Sequence, residues 1–70
     1  MQHAVTKVVS LAIVADLLID SVEQGSVDAG SIKVSKVIHP TCGLLTVITN
    51  SFDENCVVLV APEFAMYLPA

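Results

Sequence analysis

Hydrophobic and polar positions alternate in one half of the chain and recur at helical spacing in the other. From Ser31 to His39, Ile32, Val34 and Ile38 alternate with Lys33 and Ser35, the period of a half-buried strand. Pro40 has no N–H to give a ladder, so the strand ends there and HPTCG makes a turn. A second strand is predicted from Leu44 to Asn50 and a third from Asn55 to Ala61, with SFDE as the turn between them. Pro62 suits the first position of a short helix in PEFAMYL, and Glu63 lies near its positive end.

Residues 1–25 follow the other period. Val8, Leu11, Ala12, Ala15, Leu18, Ile19 and Val22 fall on one helical face, with Asp16, Asp20, Glu23 and Gln24 on the other side and Gly25 as a C-terminal stop. Val9, Ile13, Val14 and Leu17 are apolar too, so the stripe is wider than one contact face needs. A competing reading is a strand from Val5 to Val14 followed by a short helix, which the β-branched residues favour locally. GSVDAGS, residues 25–31, has loop composition. The expected fold is α+β in a single domain, 1–70. A long N-terminal helix over 1–25 packs on a three-stranded antiparallel β-meander over 31–61, and 62–70 adds a short C-terminal helix or strand.

Short connections make the meander antiparallel. The loop Ser51 to Glu54 sets Val47 opposite Val58 and Leu45 opposite Val60, while the first hairpin sets Ile38 near Leu44 and Val34 near Ile48. Alternation then divides the sheet into two faces. Ile32, Val34, Ile38, Leu44, Ile48, Val57, Leu59 and Ala61 share one, which is assigned to the helix. Val37, Leu45, Val47, Val58 and Val60 share the other, with Lys33, Ser35, His39, Thr49 and Cys56 around them. This second face is left without an obvious cover, because the segment holding Phe64, Met66, Tyr67 and Leu68 is short. The expected partner-binding set is therefore Val37, Leu45, Val47, Val58 and Val60, with Phe64 and Tyr67 beside them and Phe52 as an anchor at a loop tip.

Composition strengthens the expectation of a partner. The chain has 70 residues, of which 54% are hydrophobic and 14% charged. That excludes disorder and leaves more apolar surface than so small a core can bury. A homodimer or a protein partner is expected. Three lysines, no arginine and a net charge of −4 disfavour nucleic acid. The apolar run Val8–Ala15 is too short to span a bilayer, and Lys7 alone is a weak leader for a signal peptide, so no membrane role and a cytoplasmic location are expected.

Candidate chemistry is sparse. The meander separates Cys42 from Cys56 by about seven strand positions of ~3.3 Å, too far for one disulfide, so both are expected as free thiols. His39 and Cys42, at the spacing H-x-x-C, lack the matched second pair of a zinc site even when His3 and Cys56 are added. They also lack a third group to orient an imidazole for a cysteine nucleophile. Asp16, Asp20 and Glu23 suit a solvated helix face. No phosphate loop, nucleophile elbow or metalloprotease helix occurs, and no cofactor or metal is expected. The expected function is a small non-enzymatic protein-binding module, an inhibitor or adaptor by analogy with small acidic proteins of phages and mobile elements. The alternatives are an oligomeric enzyme or small-ligand-binding subunit with a pocket between chains near His39 and Cys42, and a structural subunit of a larger particle.

Overall fold

The computed structural model describes residues 3–68. The elements in chain order are β1 (Val5–Ser10), α1 (Leu11–Ile19), β2 (Val22–Ala29), β3 (Ile32–His39), β4 (Gly43–Asn50), β5 (Asn55–Val60) and a 3-10 turn of helix, η1 (Pro62–Tyr67). The five strands form one antiparallel sheet in the order β1-β5-β4-β3-β2. Strand directions alternate across the sheet, so the two edge strands, β1 and β2, run parallel. Parallel strands need a crossover, and α1 supplies it, touching β1, β3 and β5 as it crosses one face.

The three meander strands stand where the alternation places them, and the register agrees. Val47 pairs with Val58, Ile38 with Leu44 and Val34 with Ile48. The long helix is overturned. Val5–Ser10 pairs with β5 as an edge strand, only Leu11–Ile19 is helical, and Val22–Ala29 pairs with β3, taking in most of the expected loop. Residues 1, 2, 69 and 70 of the expected terminal elements lie outside the described residues.

Two local devices explain the switch from strand to helix. Ser10 is extended (φ −65°, ψ 150°), and its hydroxyl accepts from the Ile13 N–H at 3.4 Å, which caps the helix. The Leu11 N–H, an orphan donor of the first turn, is satisfied by the Glu54 carbonyl at 2.8 Å. The helix then stops at Asp20, where the Ser21 hydroxyl donates to the Leu17 carbonyl at 2.8 Å and the Ser21 N–H to the Leu18 carbonyl at 3.2 Å. The helical face that packs is not the expected one. Val14 is fully buried, with Ile13 and Leu17 half-buried beside it, whereas Leu11, Ala12, Ala15, Leu18 and Ile19 face outward. Both sets satisfy helical spacing, so periodicity alone does not choose between them.

The faces of the sheet are inverted relative to the expectation. Val37, Leu45, Val47, Val58 and Val60 are buried under α1 and η1, together with Val9, Val14, Cys42, Cys56 and Leu68. The expected partner surface is thus the protein's own core. Its cover comes from the nine-residue helix, from Leu68, and from Phe64 and Ala65 packed against it. Extra strands flank the meander on both sides, and β2 stays exposed along its whole length; α1 and η1 cover the middle of the sheet. The opposite face has neither.

Candidate interaction surfaces

The pairing register aligns one apolar side chain from every strand across the uncovered face. Val8 of β1 lies beside Val57 of β5, Val57 beside Ile48 of β4, Ile48 beside Val34 of β3, and Val34 beside Val27 of β2. A second group, Leu44, Ile38 and Val22, continues the surface toward one end of the strands, and Ile32 lies toward the other. Five of these side chains keep between 45% and 67% of their surface exposed: Val8, Val22, Val27, Ile38 and Leu44. The cause is simple. Strands β4 and β5 are apolar on both sides, β3 adds Ile32, Val34 and Ile38 to the open one, and α1 and η1 cover only the other.

Charge is arranged around this face. Glu23 and Asp28 pair with Val37 and Lys33 and so lie on the covered side of the sheet. Asp16 is on α1 and Asp20 caps it, Asp53 and Glu54 are in the β4–β5 turn, and Glu63 is in η1. Lys36, opposite Thr46 and Gly25, is the one charged side chain on the open face among the described residues.

The edges of the sheet carry features that hinder strand addition. Lys7 sits in the middle of edge strand β1 opposite the fully buried Val58, pointing a charge to the covered side. At the other edge β2 has a register shift between Glu23 and Gly25, a bulge that breaks the ladder.

The remaining sequence candidates fall in different places. Phe52 is 88% exposed at the tip of the β4–β5 turn. Its backbone is held there by hydrogen bonds: the Phe52 N–H donates to Asn50 Oδ1 (3.0 Å), the Asp53 N–H to the Asn50 carbonyl (3.0 Å), and the Asn55 N–H to Asp53 Oδ1 (2.9 Å). Tyr67 is exposed on η1, and Phe64 is half-buried with its ring centroid 6.3 Å from that of Tyr67. Phe52 and Tyr67 do not form one surface with Val37, Leu45, Val47, Val58 and Val60, which lie beneath a cover to which Phe64 itself belongs.

His39 and Cys42 are brought together, but for architecture. His39 Nδ1 accepts from the N–H groups of Thr41 (3.0 Å) and Cys42 (3.2 Å), closing the β3–β4 turn. Gly43 ends that turn with φ +70°, a left-handed conformation suited to glycine. The Cys42 thiol is buried, and burial pushes its pKa up, away from the thiolate a nucleophile or metal ligand requires. Cys56 is buried likewise, with the Asp53 charge as a further upward influence. Among the described residues no group of three His, Cys, Asp or Glu side chains is placed to hold a metal ion, and both cysteines are free. No helix of the described residues is long and apolar enough to cross a membrane. A shallow hollow at the end of β4 and β5, beside Phe64, offers only His3 and Thr46 as polar side chains besides the buried Cys42 thiol.

Comparison with known protein families, with curated proteins and with solved structures finds no match to this chain.

Proposed function

We propose that this chain is a small protein-binding module whose working surface is the open face of its sheet, acting as an adaptor or inhibitor by occupying a protein partner. The observation that carries the reading is the cross-strand row Val8, Val57, Ile48, Val34 and Val27. A contiguous apolar surface of this kind is rare on a monomer and marks an interaction site. The absence of carboxylates from it, in a chain of net charge −4, favours burial of this face. The outer stripe of α1, with Leu11, Leu18 and Ile19, is a separate apolar surface on the opposite side of the molecule.

The test is the size of the native protein in an extract of its own cells. The chain is expected to elute well above its 7.4 kDa mass, and Ile48→Lys is expected to return it to monomer size while its circular dichroism keeps the strand signature. Elution of the unaltered chain as a 7.4 kDa monomer would contradict the reading.

A further inference from the structure

We infer that the occupant of the open face is a second copy of the same chain, laid face to face across a two-fold axis so that two single sheets close into a sandwich. This rests on the reading of the open face as an interaction surface and names its partner.

Area is the first argument. Five strands about 4.8 Å apart, with six to eight residues rising about 3.3 Å each, make a face of roughly 500 Å². Two copies in full overlap bury about 1,000 Å² between them, the lower bound for a biological interface and the size of a dimer that dissociates on dilution, and above most crystal contacts, commonly below ~800 Å².

Charge is the second. Two copies of a chain with net charge −4 repel each other unless the acids are kept apart. None of the carboxylates on the strands points to the open face, so the pair buries no opposed acids. Lys36 lies opposite Gly25, which has no side chain and nothing within 4 Å of where a Cβ would stand. The lysine stem therefore has room to run over Gly25 toward the β2 edge and hold its ammonium in water.

Shape is the third. Two-fold pairing requires a surface complementary to itself. Rows of valine and isoleucine meet similar rows when two twisted sheets stack about 10 Å apart, with strands crossing at about 30°. The alternative route to self-association, adding strands edge to edge, is hindered by Lys7 on β1 and by the bulge on β2.

Light scattering on the purified chain provides the test. The expected mass is twice 7.4 kDa, dissociating on dilution. Ile48→Lys, at the centre of the row, is expected to be monomeric, because it buries an unpaired charge against a second copy. Val27→Lys, on an edge strand where Val27 is 67% exposed, preserves folding and is expected to weaken dimerisation by about tenfold or more. Phe52→Lys, at the turn tip, is expected to leave the dimer unchanged. A purified chain that stays monomeric while eluting in a larger complex from cells, a complex that Ile48→Lys abolishes, would overturn the second copy and retain the surface. A dimer that survives both Val27→Lys and Ile48→Lys would overturn the face as its seam.

Discussion

Val57 and Val58 are adjacent in sequence and have opposite surroundings. Val58 is fully buried under the helix layer, and Val57 stands in the open row between Val8 and Ile48. Their chemistry is identical, so the pleat alone decides which one serves the core and which the outer surface. Cys56 lies on the same side as Val58, and its burial has a consequence for pH. Both thiols are held in the neutral form in the folded chain, Cys56 and Cys42 alike through burial. The unfolded chain releases these protons first, near its ordinary thiol pKa of about 8.5, so the folded state holds more protons above that point. The contribution of the two thiols to stability is therefore level below about pH 8 and falls as the pH rises past 8.5. Urea midpoints of the unaltered chain are expected to drop between pH 7.5 and about pH 9.5, and the Cys42→Ala, Cys56→Ala double variant is expected to lose less over the same interval. Equal losses in the two proteins would show that the thiols do not carry the effect.

At the scale of elements, the decisive junction is Ser10, where an edge strand becomes a crossover helix. Its capping bond to the Ile13 N–H is long, at 3.4 Å, so Ser10→Ala is expected to cost about 0.5–1 kcal/mol in urea denaturation, the lower part of the range for such caps. Ser10→Asp is expected to recover much of that loss, and a value for Ser10→Ala within error of zero would mean that the Leu11 to Glu54 bond alone sets the helix start. This junction also shows what was legible in the sequence. The meander strands were readable within a residue or two because alternation, Pro40 and the polar turn at Ser51–Glu54 bracket them. The first 29 residues were not, because their apolar positions satisfy a helical period and their β-branched residues satisfy a strand. The partner strands that settle the question, β5 for β1 and β3 for β2, are joined to them only by the tertiary fold. The competing strand reading from Val5 was right in kind and ran four residues too far. The candidate surface was misassigned for the same reason. A 25-residue helix would take the more apolar face as its seat. The nine-residue helix instead covers the face where the polar residues at the rim tolerate partial exposure.

At the scale of the whole molecule, one layer of cover on a five-stranded sheet leaves a chain of 70 residues with apolar side chains on both outer surfaces. The open row and the outward stripe of α1 lie on opposite sides. Pairing through the sheet closes the larger surface and leaves the helices outermost, where Leu11, Leu18 and Ile19 remain exposed on each copy for contact with another protein. In that arrangement a chain too small to build a two-sheet core by itself obtains one by association, a recognised route to stability for domains of this size. Methyl NMR with a water-soluble paramagnetic agent reports the cover of each side chain directly. In the dilute, dissociated protein, the Ile19 and Val27 methyl signals are expected to broaden strongly. In the concentrated protein, the Ile48, Val57 and Val34 methyls are expected to be as well shielded as those of the core residue Val58. If Ile48, Val57 and Val34 are no better shielded in the concentrated protein than in the dilute one, with no partner added, the face is open in the isolated protein and the account of a self-paired sheet is wrong.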